Sequence, residues 1–388
     1  MIDQNRIKKD LETFSFPRLS GTKFEEEAFN LALQEVRILN IKPITQEFNF
    51  STFYSRVYPK VSLFLLFLII LILYLNIKGV IFPIILVIGS GILIILFFYT
   101  RNPENINKGK VLRSRNLIVK MEEETRKNIL QNIIMFCCHI DSKGQQISIL
   151  ARIRASRYYV FSILIAFIVI LIKNFILPQA KVLFYIIGLF PLIINGIATC
   201  LIIFNSTNND SNGAIDNASG MTCVLELIRY YSNPDSRLKH FNLWFIFTGA
   251  EECGTMGIRY FYRENSFINK QTSIIFNFDA IAKSICLFPG KNVSEKIRDI
   301  YSQLLNNDVG LKVNSYYRKF HVGSHSDGYF LKKKNFQGFG IGDMESYRYI
   351  HSIHDTIDKV DEKILAKLCE VITTSLKNYD TNLNINNN

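Results

Sequence analysis

Charge is missing from this chain in four places. Residues 61–77 (VSLFLLFLIILILYLNI) and 79–100 (GVIFPIILVIGSGILIILFFYT) contain no Asp, Glu, Lys or Arg, and Lys78 alone separates them. The same holds for 158–172 (YYVFSILIAFIVILI), which ends at Lys173, and for 182–204 (VLFYIIGLFPLIINGIATCLIIF). A bilayer core takes about 20 apolar helical residues. Two runs have that length outright. The shorter two reach it if Lys78 and Lys173 extend their ammonium groups to the interface. Buried helices of a soluble protein rarely run so far without a charge. The expectation is two transmembrane hairpins, 58–100 and 158–204, with the lipid bilayer as a partner.

Other shortages narrow the function. The seven cysteines are odd in number and irregularly spaced, which excludes a disulfide framework and a zinc ribbon. Cys137 and Cys138 are adjacent in one expected strand, point to opposite faces and read as small hydrophobes. The opening MIDQNRIKKDLETFSF is polar and lacks the pattern of a secretory signal. No helix-turn-helix, zinc-finger or RNA-binding aromatic pattern accompanies the net charge of +12. The positive residues border the apolar pairs instead. Arg101, Lys108, Lys110, Arg113, Arg115 and Lys120 follow the first, and Arg152, Arg154 and Arg157 precede the second. Such borders mark the cytoplasmic side of a membrane, so the catalytic domain is expected there and nucleic acid is not expected as a partner.

Without the hairpins, three polar pieces remain: 1–57, 101–157 and 205–380, followed by a polar tail, 381–388, expected to be disordered. Each hairpin leaves and re-enters the bilayer on one side, so the pieces can fold as one domain. Residues 24–38 have helical spacing. The runs 132–141, 241–250 and 272–281 read as strands buried on both faces. Asn217-Ala218-Ser219 opens a helix. The expected class is α/β, with a mixed, mostly parallel central sheet flanked by helices and two inserted transmembrane hairpins.

Each buried run ends at or just before an acid or histidine, at strand carboxyl ends where α/β sites form. In FCCHID, His139 and Asp141 are two apart and share a face, so the carboxylate can hold the imidazole's second nitrogen. In GAIDNASG, Asp216 is a natural bridge between two metals. In FTGAEECG, Glu251 and Glu252 follow an apolar run, one suited to a metal and the other to the proton of an attacking water. Asp279 interrupts IIFNFDAI, and in YIHSIHDT either His351 or His354 can ligate. Three apart, those two histidines would share a face if the segment were helical.

In this order the segments resemble the co-catalytic zinc exopeptidases, the family of bacterial leucyl aminopeptidase, aminopeptidase Y and glutamate carboxypeptidase. PRLSGTKFEEEAF, the His-x-Asp, Asp-Asn-x-x-Ser-Gly and Glu-Glu-x-Gly motifs, a strand-end Asp, Ser326-Asp327 and a final His-x-x-x-Asp-Thr carry the resemblance. It covers the three polar pieces and skips both hairpins. It implies two zinc ions per chain and a peptide substrate. His139 and Asp279 would bind one ion, Glu252 and His351 the other, with Asp216 bridging. Glu251 would be the general base and Asp141 the orienter of His139. The chain departs from the family in three ways. A whole hairpin lies between the first two metal motifs, Gly328 stands where relatives often carry His, and the carbonyl-polarising tyrosine has two candidates, Tyr347 and Tyr349. A glutaminyl-cyclase-like acyltransferase with one zinc, or a non-catalytic membrane scaffold on a peptidase fold, are the competing readings. The full ligand set speaks against both.

Overall fold

Strands without exposed residues must be covered on two sides, and that requirement organises the domain. The computed structural model describes residues 1–77, 79, 81–122, 132–289, 299–300, 302 and 326–386. In chain order the larger elements are α1 (Gln4–Phe14), α2 (Lys23–Ile38), β1 (Ile44–Ser51), α3 (Tyr58–Leu75), α4 (Ile81–Tyr99), β2 (Val111–Met121), β3 (Ile133–His139), β4 (Gly144–Gln145), α5 (Ile149–Leu171), α6 (Lys181–Phe204), β5 (Thr207–Asn208), α7 (Ser219–Ser232), β6 (Asn242–Thr248), α8 (Met256–Glu264), β7 (Ile274–Phe278), β8 (Cys286–Pro289), α9 (Asp327–Lys333), β9 (Gln337–Gly342) and α10 (Glu362–Asn386). The described strands form a seven-stranded sheet in the order β1-β2-β6-β3-β7-β9-β8. β6, β3, β7 and β9 are mutually parallel, and β2 and β8 run against them. The mixed, mostly parallel α/β sheet expected from the buried runs is therefore present, with strands from all three polar pieces.

Alternation divides the strand side chains between two cores. Ile134, Phe136 and Cys138 face one core with Phe245, Phe276 and residues of α1, α7 and α10. Ile133, Met135 and Cys137 face the other with Trp244, Ile246 and residues of α8 and α9. Phe136 sits between Phe245 and Phe276, with ring centroids 5.2 and 5.4 Å away, so aromatic packing spans adjacent strands at the sheet centre.

The apolar runs are not core helices. Spans 53–75, 149–176 and 178–204 are long and apolar enough to cross a membrane, and no more than 33% of the most apolar 18-residue stretch of each is buried. Phe161, Phe190 and Ile168 are among the large side chains they expose. The fourth helix is shorter over its described apolar part, Pro83–Tyr99. Both hairpins pack together through α3, α5 and α6.

Two expectations are corrected here. Lys173 does not reach outward. It is buried, its Nζ donates to the Tyr74 carbonyl and lies 3.9 Å from the Tyr185 ring centroid. The last carbonyls of a helix have no intrahelical donor, and the ammonium supplies one at the end of α3. Asn76 and Asn174 exchange amide hydrogen bonds beside it at 2.7 and 3.2 Å. Lys78 lies outside the described residues. The tail, expected to be disordered, continues α10 as helix through Asn386. Extending an existing helix fixes one residue per hydrogen bond gained, so polar Asn-rich sequence is tolerated there.

Arg18 joins the N-terminal piece to the rest. It is fully buried, and its guanidinium donates to the carbonyls of Ile140 (2.8 Å), Phe16 (2.7 Å), Asn212 (2.9 Å), Gly213 (3.0 Å) and Phe14. Burial pulls its pKa down to about 10, while the charges of Asp355, Asp141 and Asp216 hold it up. Removing one side of a buried charged network typically costs about 3–5 kcal/mol. Arg18→Ala should therefore lower the thermal midpoint by several degrees in a detergent-solubilised melt, and an unchanged midpoint would contradict this role.

Candidate metal centre

The site lies at the carboxyl edge of the parallel strands. His139 ends β3, Asp279 follows β7 directly, and Glu251 and Glu252 follow β6 in a short helical turn. Asp216 sits in the bent segment before α7. His351 adopts a left-handed φ of 60° in a loop.

These residues converge on two clusters that share Asp216. His139, Asp216 and Asp279 form one, and Asp216, Glu252 and His351 form the other. His139 Nε2 is 3.0 Å from Asp216 Oδ1 and 3.6 Å from Asp279 Oδ1. His351 Nε2 is 3.1 Å from Asp216 Oδ2 and 2.8 Å from Glu252 Oε1. Each Asp216 oxygen thus faces a different imidazole. Nitrogen and oxygen ligands about 2.0–2.1 Å from a zinc at tetrahedral angles lie about 3.3 Å apart, so the donor set fits.

The surroundings explain how so much acid is buried. Burial opposes the Asp216 charge, but hydrogen bonds to His139 and His351 outweigh it and hold the carboxyl well below its usual range. Burial also disfavours a charged His139, and its bonds to Asp141, Asp216 and Asp279 reverse that strongly. Glu252 falls to about 2 because His351 and Lys143 overcome its burial. Lys143 Nζ is 2.6 Å from Glu252 Oε2, which leaves the other oxygen toward His351. Glu251 behaves oppositely. Burial raises its pKa well above normal despite His139, and the charges of Glu252, Asp327 and Asp279 add to the rise. Its Oε1 is buried and has no hydrogen-bond partner among the described residues.

Backbone conformation at the site is strained and held by acids. Ala250, Ala280 and His351 all have positive φ, which for residues with a Cβ costs of order 1–3 kcal/mol each. Glu25 accepts from the Ala250 N–H at 2.8 Å, and the two Asp141 oxygens accept from the Glu251 and Glu252 N–H groups at 3.0 Å each. Asp355 accepts from the Ile215 N–H at 2.6 Å, beside Asp216. The Asn217 amide donates to the Phe278 carbonyl at 2.8 Å and so ties the Asp216 loop to β7. A Cβ at Gly220 would meet Asn217 Oδ1 at 2.3 Å and the Phe278 carbonyl at 2.8 Å, so this join admits only glycine.

Several sequence expectations are refined. Asp141 orients His139 chiefly through its main chain. Nδ1 is 2.9 Å from the Asp141 carbonyl oxygen but 3.6 Å from the carboxylate, which is occupied by the two glutamate N–H groups. His351 joins the cluster, whereas His354 is exposed, and the segment is a turn and not a helix that would align them. Tyr347 is the tyrosine near the acids. Burial first, then the charges of Asp279 and Asp216, push its phenol up to about 12, while Tyr349 lies against Lys359. Sequence reasoning gave no part in the metal centre to Glu25, Lys143, Arg152 or Asp327. Glu25 had a readable signal, since it lies on the apolar stripe of α2 with Ala28, Phe29, Ala32 and Val36. Arg152, whose Nη2 is 3.0 Å from His351 Nδ1, had none.

Strand-end histidines and carboxylates around the shared Asp216, on this sheet, form a two-cluster arrangement that could hold metal, as a metallo-exopeptidase site requires. The family comparison agrees: residues 197–376 match the model for Peptidase family M28. That stretch contains Asp216, Glu251, Glu252, Asp279 and His351, and it bears out the resemblance read from the motifs. No curated protein matches the chain. Among solved structures, an aminopeptidase from Aneurinibacillus sp. strain AM-1 is similar with a TM-score of 0.57 at 14% identity, covering 97% of this chain and 93% of that one. A zinc aminopeptidase from Bacillus subtilis gives 0.56 at 12% identity, covering 97% and 95%. A glutaminyl cyclase from Fimbriiglobus ruber gives 0.53 at 12% identity, again covering 97% and 95%. At these identities the likeness is one of fold.

If Asp216 serves both clusters, Asp216→Ala should drop bound zinc by more than one ion per chain in elemental analysis of the purified protein. A loss of one ion or none would remove the bridge.

Proposed function

We propose that the chain is a membrane-embedded, zinc-dependent aminopeptidase with two zinc ions per chain. The observation that carries this is Asp216, with one oxygen toward each of two histidines that each have a further acid. His139, Asp216 and Asp279 would hold one ion, and Asp216, Glu252 and His351 the other. When bound, the ions would supply Lewis acidity toward the scissile carbonyl and the attacking water.

The protein's own groups do the rest. Glu251, raised in pKa and with one oxygen unpartnered among the described residues, takes the proton of the attacking water and returns it to the leaving amine. Asp141 positions both glutamates through their N–H groups. Tyr347 is the donor best suited to the scissile carbonyl oxygen. The names of two similar structures, both aminopeptidases, support the amino-terminal preference. The glutaminyl cyclase neighbour keeps acyl transfer as the second reading. That reading needs one zinc, and His139 with Asp279 would then have no task.

Glu251→Gln should retain both zinc ions yet lose about 100- to 10,000-fold in peptide release, the usual contribution of a general base. If this variant loses zinc while Glu252→Gln keeps it, the two roles are exchanged.

The catalytic domain is assigned to the cytoplasmic face from the basic flanks. With exposed Cys200 replaced by serine, a cysteine at exposed Gln179 should label with an impermeant thiol reagent in intact cells, and one at exposed Glu27 should not. The reverse pattern would place the domain outside.

A further inference from the structure

Resting on the peptidase reading, we infer that the active centre opens onto the membrane surface, and that its substrates are peptides embedded in or anchored to that bilayer with a short free amino end. Strand direction is the first ground. β1 and β6 both run antiparallel to β2, so they point the same way. Hairpin α3–α4 leaves from the carboxyl end of β1 and returns at the start of β2, and hairpin α5–α6 leaves after the carboxyl end of β3. Both hairpins therefore depart from the sheet edge that carries His139, Glu251, Glu252 and Asp279.

The second ground is direct contact between a membrane helix and the site. α5 is continuous from Ile149 to Leu171. Its Arg152 reaches His351 Nδ1, and the Gln145 N–H just before it donates to the His351 carbonyl at 2.9 Å. The uncharged run of this helix begins at Tyr158. Six residues at 1.5 Å each put the His351 contact about 9 Å from that boundary along the helix axis. Beside the ligand loop, Ile353 and Ile357 are exposed apolar side chains, 65% and 37% accessible. An extended chain of three residues spans about 10 Å. A peptide held in the bilayer with only such a tail free can reach this centre, but not one on the opposite edge of the sheet.

Two measurements on the full chain in lipid vesicles test this. A fluorophore on Ile353→Cys should be quenched at least threefold more by lipids carrying a headgroup nitroxide than one on Ile44→Cys, which is exposed at the other end of β1, about 23 Å away along the strand. Equal or reversed quenching overturns the inference. In the second, peptides are lipid-anchored at their carboxyl end, one with about three residues free and one with a roughly thirty-residue Gly-Ser spacer. The short tail should be cleaved within about threefold of the rate of the long one. Cleavage of the long tail alone overturns the inference. If neither is cleaved, nor the same peptide in solution, the peptidase reading fails, and the quenching result still decides the orientation.

Discussion

Asp216 is held between two imidazoles, and the remainder of the site depends on that charge balance. Six carboxylates, those of Asp141, Asp216, Glu251, Glu252, Asp279 and Asp327, meet at one end of the sheet. A buried unpaired charge is untenable. Among the described residues, Lys143, Arg152 and Arg18 are the permanent cations nearby, fewer than the acids, and Arg18 is committed to carbonyls. The remaining imbalance falls on Glu251 and Asp327, whose pKa values burial raises, the latter to about 7. Divalent ions would relieve it, and an acid left with a high proton affinity is suited to base chemistry.

A second layer of buried acids builds the geometry that the ligands need. Glu25, Asp141 and Asp355 bind main-chain N–H groups beside Glu251, Glu252 and Asp216. They hold loops whose left-handed residues would otherwise relax. The same carboxylate chemistry is therefore used twice, once toward cations and once toward the backbone. This division separates Asp141 from the ligands, although it lies two residues from one.

The apolar helical hairpins are tied into this architecture at both ends. They leave the sheet at its functional edge, and the stem of the second supplies Lys143 to Glu252 and Arg152 to His351. At the far end, Lys173, Tyr74, Asn76 and Asn174 join the hairpins to one another. Motion of one hairpin relative to the domain would thus be felt by Glu252 and His351.

Composition and pattern were enough for the α/β class, the buried strands, the long apolar helices and the types of residue that cluster at the strand ends. These are local properties, since an apolar run ending in an acid or histidine shows both its burial and its chemistry in a few consecutive residues. Glu25 left a signal of the same local kind, an acid on an apolar stripe, that was not read. From the residues alone either histidine of YIHSIHDT was open, and the resemblance pointed to His351; the tertiary structure places His351 in the cluster, shows where the Asp141 carboxylate goes, and turns Lys173 inward. It also brought Arg152 to a residue 199 positions away. Such pairings depend on which strand edges meet and on the handedness of single loop residues. Neither leaves a periodic trace in sequence, because each is set by long-range packing and not by neighbours along the chain.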